Sequence, residues 1–157
     1  MRENAKAGLE QLCRARGLRV RGRGCAVLRV MDEALDHPSV DEIYRRALLI
    51  DPQISLTTVY RTINDLAAAE FLTRLEFGDG KTRYEKAGKA HHDHLIDVES
   101  GAIVEFCSPE IEEAIRKAAA ALGYNLFSYR LRVFGQAQEP ARQDQGAGRI
   151  TLLARSR

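Results

Sequence analysis

The sequence predicts an α+β chain, helical in its front half and closed there by a β-hairpin, with a small mixed α/β module behind. Three observations predict it. Apolar residues recur at helical spacing from Leu9 to Leu66, and alternating residues then flank a Gly78-Asp79-Gly80 turn. Beyond a run of histidines, apolar residues alternate again around Glu99-Ser100-Gly101-Ala102, ahead of one more helical stretch. A chain of 157 residues, 45% of them hydrophobic, can bury a core in one domain or two small ones, and the change of pattern near residue 88 argues for two.

In the front half, Leu9, Leu12 and Cys13 space a short first helix that Gly17 ends. After the basic loop "LRVRGRG", Val27, Leu28, Met31 and Leu35 space a second. A third opens on a capping box, Ser39 with Glu42, and lines Val40, Ile43, Tyr44, Ala47 and Leu48 on one face before Asp51-Pro52 stops it. Ser55 caps the next, in which Leu56, Val59, Ile63 and Leu66 form the stripe expected to be buried. Thr57, Tyr60, Arg61 and Asn64 fall three and four apart on another face, where a solvated helix would carry Lys and Glu. Hydroxyls, a phenol, a guanidinium and an amide so arranged suit base edges and phosphates in a major groove. With the hairpin expected over Leu72–Tyr84, this is the pattern of a winged helix-turn-helix.

In the back half, His91, His92, Asp93 and His94 occupy four consecutive positions. If these residues are extended, His92 and His94 share one face and His91 and Asp93 the other. "HLIDV" and "IVEF" read as a hairpin, and Ser108-Pro109 opens a helix whose Ile111, Ala114, Ile115, Ala118 and Leu122 are expected to face inward. "NLFSYRLRVF" reads as a final strand, which makes a ββαβ module. The remaining ligand supply is one other histidine, His37, and acids such as Glu85, Glu105 and Glu112. Imidazole plus carboxylate without thiolate suits Fe(II), Mn(II) or Zn(II); five or six ligands lean toward the first two, while affinity order favours zinc in vitro.

Charge is uneven. Residues 1–30 carry a balance of +6 and residues 88–115 one of −6, so one end suits phosphates and the other cations. Cys13, Cys25 and Cys107 form neither a disulfide framework nor a Cys-x-x-Cys pair and read as reduced thiols. The charged N-terminus is unlike a signal peptide, and no apolar run has the length of a membrane span, so a cytoplasmic protein is expected.

"HPSVDEIYRRALLIDPQISLTTVYRTINDL", "GDGKTRYE" and "HHDHLID" followed by "GAIVEF" together resemble the ferric uptake regulator family of bacterial metal-dependent repressors, over roughly residues 5 to 135. The resemblance implies a winged-helix DNA-binding domain over residues 1–87, an α/β dimerisation and metal-binding domain over 88–135, and a metal at their junction. It implies a sensing site of His37, Glu85, His92, His94 and Glu105, loaded with Fe2+ or Mn2+. Arg19, Thr57, Tyr60, Arg61 and Asn64 would contact DNA, with Arg19 near a minor groove. The partners implied are a second copy of the chain and a pseudo-palindromic, A/T-rich double-stranded operator upstream of metal-uptake genes.

Departures from the family pattern bear on other positions. Asp97 and Ser100 stand where many members carry a Cys-x-x-Cys pair, so structural zinc is not expected. A second metal site would use His91, Asp93 and Glu112 with a histidine whose place is taken by Tyr129, which leaves that site incomplete. Gly24-Cys25 replaces commonly basic positions at the start of the second helix. Residues 136–157 match nothing and are expected to form a flexible tail. Two other functions are compatible with the ligands: a peroxide-sensing regulator of the same family, and a non-heme metalloenzyme. The enzyme lacks a spare histidine for acid or base work and leaves the polar helix face without a purpose.

Overall fold

The computed structural model describes residues 8–138 and 151–156. They group into two compact units, residues 1–89 and 90–157.

In the first unit, α1 (Leu9–Ala15) is held at its start by Asp32, whose two carboxylate oxygens accept from the Leu9 amide at 2.9 and 2.8 Å. Gly17, at φ 82°, ends it as expected. Helix α2 (Gly24–Glu33) buries Ala26, Val27, Leu28, Val30 and Met31. It begins at the unusual glycine for a steric reason: a Cβ there would lie 2.8 Å from Val20 Cγ1 and 2.9 Å from Thr62 Oγ1. Leu35 is not on this helix and is 88% exposed, because α2 has already ended.

Helix α3 (Val40–Ile50) has the expected capping box, with both the Ser39 and the Glu42 side chains bonding back to backbone amides. Helix α4 (Leu56–Ala68) is capped by Ser55 and buries Val59, Thr62, Ile63 and Leu66. Leu56 was expected in this stripe but is 38% exposed in the first turn. Thr62 takes a buried place instead, its hydroxyl satisfied by the Thr58 carbonyl at 2.8 Å. Strands β1 (Leu72–Glu76) and β2 (Thr82–Lys86) form the antiparallel hairpin, Leu72 opposite Lys86 and Glu76 opposite Thr82. The core runs through all four helices to Phe71, Leu72 and Tyr84.

The second unit is built on a four-stranded sheet of order β5-β3-β4-β6. Strands β3 (Asp93–Asp97) and β4 (Ile103–Cys107) are the expected hairpin. Helix α5 (Pro109–Ala121) is capped by Ser108 with Pro109 in its first turn, yet it buries no residue: Ile111 and Ile115 are half-buried, Ala114 and Ala118 exposed, and Leu122 is 76% exposed. Among the described residues, the inward face expected of α5 is therefore only partly covered, at Ile111 and Ile115. Strand β5 is shorter than expected, Arg132–Gly135, and runs parallel to β3. The tail expected to be flexible contains a strand, β6 (Thr151–Ser156), which pairs antiparallel with β4; residues 139–150 lie outside the described residues.

Candidate metal centre and nucleic-acid face

The candidate ligands of the first unit are brought together by backbone pairing. The Tyr84 amide donates to the Pro38 carbonyl at 3.1 Å, and Ser39 bridges Arg83, so the segment entering α3 lies along β2. His37 and Glu85 flank these contacts. Both are buried, with His37 Nε2 3.5 Å from Glu85 Oε2, and the His37 ring stands edge-on to Phe77 at 6.0 Å. Lys89 also donates to Glu85 Oε2, at 3.3 Å. A buried imidazole and a buried carboxylate this close are unlike a solvated surface.

The second unit presents its own group. Glu105 lies directly opposite His94 in the β3–β4 ladder, so the two side chains share a sheet face, and His92, immediately before β3, comes to the same side. The His92 and His94 rings are 4.9 Å apart at 73°, and His92 Nε2 lies 3.7 Å from Glu105 Oε1. His92 Nδ1 stands 2.8 Å from the Ala90 carbonyl; since a carbonyl only accepts, Nδ1 carries the proton and donates. That tautomer leaves the Nε2 lone pair directed toward Glu105, as metal-binding imidazoles require. Two imidazoles and a carboxylate on one sheet face are suitable donors for a divalent transition metal, so the residues present fit the expected ion.

The opposite face carries His91 and Asp93. Asp93 is buried, with Oδ1 3.3 Å from His91 Nε2 but accepting no hydrogen bond, while Oδ2 accepts from the Tyr129 hydroxyl at 3.4 Å. The His91 and Tyr129 rings pack at 4.3 Å. Burial and then the charges of Asp93 and Glu112 push the Tyr129 phenol above its ordinary pKa. Glu112 itself is exposed and accepts from Arg116 at 2.8 Å. Tyr129 thus supplies Asp93 with a proton donor where a fourth ligand would stand. Sequence reasoning did not anticipate Cys107 here: its thiol donates to the His91 carbonyl at 3.0 Å. Burial and the charges of Asp93, Glu112 and Glu105 raise its pKa, which makes it a poor thiolate. At the two positions where a Cys-x-x-Cys pair was looked for in the sequence, Ser100 donates to Asp97 Oδ2 at 2.6 Å across the β3–β4 turn.

On α4, Thr57, Tyr60, Arg61 and Asn64 are all exposed, opposite the buried stripe. Asn64 accepts from Arg74 of β1 at 2.7 Å, linking helix to hairpin. Arg19 is exposed in the basic loop. Arg23 of the same loop is engaged, donating to the Gln53 carbonyl at 2.6 Å and to the Gln53 side chain.

Residues 15–134 match the sequence profile of the ferric uptake regulator family. This chain belongs to that family. The ferric uptake regulation protein of Rhizobium leguminosarum bv. viciae is 42% identical over 127 residues, which are 81% of this chain and 89% of that one. A zinc-bound manganese uptake regulator of known structure superposes with a TM-score of 0.74 at 39% identity, over 84% of this chain and all of the other. The Vibrio cholerae ferric uptake regulator superposes at 0.73 with 30% identity, over 82% and 98%. The family match ends at residue 134, so β6 lies beyond it.

Proposed function

We propose that this member of the ferric uptake regulator family is a homodimeric repressor of metal-uptake genes, that Fe2+ or Mn2+ is its corepressor, and that it recognises a pseudo-palindromic, A/T-rich operator. His92, His94 and Glu105 of the second unit, with His37 and Glu85 of the first, would hold the ion; Zn2+ is an alternative ligand in vitro. When bound, the ion supplies positive charge that binds ligands from both units at once. The chain's own residues do the rest. Sheet pairing presets Glu105 beside His94, the Ala90 carbonyl fixes the tautomer of His92, and β2 holds Glu85 beside His37. Ligands drawn from two units favour one arrangement of those units over others, which is a population shift. Tyr60 and Arg61 on the exposed face of α4 would then meet base edges in successive major grooves of a twofold site. Among the described residues, no helix is long and apolar enough to cross a membrane.

The observation that carries this reading is the sharing of one sheet face by His92, His94 and Glu105 in a chain whose relatives are named iron and manganese uptake regulators. A pair of variants tests it. His92→Ala should weaken Mn(II) binding at least about tenfold and lose metal-dependent operator binding with it. Arg61→Ala should bind Mn(II) normally but lose about 1–3 kcal/mol of specific DNA affinity. Calorimetric metal titration and gel shifts read both; intact operator binding by either variant counts against the assignment.

A further inference from the structure

We propose that β6, which lies outside the segment matching the family profile, is a positioning strand for Glu105. The proposal rests on the reading of Glu105 as a metal ligand. Three observations carry it.

The first is topology. In the sheet order β5-β3-β4-β6, strand β4 is internal only because β6 lies beside it. Without β6, Glu105 would sit on an edge strand with half of its neighbouring backbone groups facing water. Edge strands fray and twist more readily than internal ones.

The second is register. Ile103, Val104 and Glu105 pair with Ser156, Arg155 and Ala154, after which Phe106 pairs with Leu152 and Cys107 with Thr151. Leu153 is the extra residue, and the irregularity falls between Glu105 and Phe106. The β3–β4 ladder has no such slip, so the bulge belongs to β6 and the kink it introduces is applied beside Glu105. Bulges commonly stand next to functional residues because they redirect a side chain by a local change of twist.

The third is position in the chain. The family match stops at residue 134, before this strand. Strands β3 and β4, helix α5 and nearly all of β5 fall inside the matched segment, and β6 falls outside it.

Clamped between His94 on one side and Ala154 on the other, the Glu105 backbone is fixed in both directions across the sheet. Its carboxylate then pays less ordering entropy on coordination.

The test uses the full chain, a chain ending at residue 148, and Ala154→Pro, which removes a backbone donor at the partner of Glu105. Each is titrated with Mn(II) and then loaded with Co(II), whose visible spectrum reports the number and arrangement of ligands. Amide exchange is followed without metal. Loss of β6 should weaken Mn(II) about tenfold, change the Co(II) spectrum and speed exchange of β4 amides while leaving those of α2 and α4 unaltered. Equal affinity and an identical spectrum in both variants would overturn the proposal. So would β4 amides in the intact chain that exchange as fast as those of an exposed edge, a measurement that needs no variant to fold. His92→Ala in the full chain separates the two levels: if it keeps Mn(II) affinity, the ligand reading fails and the proposal with it. If it loses affinity while the truncated chain does not, only the role of β6 fails.

Discussion

Ser39 shows how a single residue can serve stability and site at once. Its hydroxyl accepts from the Glu42 amide at 3.4 Å, and its own amide donates to the Glu42 carboxylate at 3.0 Å. The same residue bridges Arg83 on β2, two positions from His37. Ser39→Ala should cost about 1 kcal/mol, lowering the urea midpoint without changing the slope of the transition. This cap was legible in the sequence because it depends on residues three apart. Leu35 and Leu56 misled for a related reason. Spacing identifies a stripe, but it cannot say where the helix beneath it stops or which end of the stripe a neighbour covers. Thr62 went unread because its hydroxyl has a place in the core only through its bond to the Thr58 carbonyl, which spacing does not record. Gly24 looked like a departure from a basic pattern. Its value is steric, since Thr62 of α4 comes within 2.9 Å of where a Cβ would stand.

Among the elements, α5 is the one whose sequence asks for a partner that the described residues of its own chain do not fully provide. It is regular and well capped, with Pro109 in the first turn and Gly123 beyond its end at φ 84°. Yet it carries no buried residue, and Leu122, Tyr124 and Phe127 near its end are 76%, 73% and 98% exposed. Apolar surface of this kind usually marks an interface, and the proposed dimer supplies one. Ile115→Glu should convert the dimer to a single chain in sedimentation equilibrium while the helical circular dichroism of the first unit persists. A dimer undisturbed by that charge would move the interface elsewhere. Strand β6 failed to announce itself because "ITLLA" is short and follows a polar segment without periodicity. Its strand character comes from pairing with β4, a contact nearly fifty residues away in sequence.

At the scale of the whole molecule, the proposed ligand set is divided between units: His37 and Glu85 lie in residues 1–89, His92, His94 and Glu105 in 90–157. An ion held by both couples their stabilities. At a free Mn(II) concentration of about 100 times its dissociation constant, binding should stabilise the native protein by about 2.7 kcal/mol. Calorimetry with chelator should show the two units unfolding separately, and with Mn(II) a single, later transition. If only the second unit gains, the ion is bound by His92, His94 and Glu105 alone and the proposed link between units is absent.

The sequence by itself determined the local structure: four front helices, both hairpins, the serine caps of α3, α4 and α5, the polar face of α4 and the placing of His92 and His94 on one side of the chain. Each of these follows from backbone geometry with a period of two or 3.6 residues and from side chains that bond within a turn or two. The tertiary structure decided what lies across from what. It set Glu105 against His94, gave Asp93 the Tyr129 hydroxyl as a donor, left α5 with no buried residue and added β6 to the edge of β4. Those outcomes depend on pairings between distant segments, and no short-range pattern records which segment will occupy a given edge.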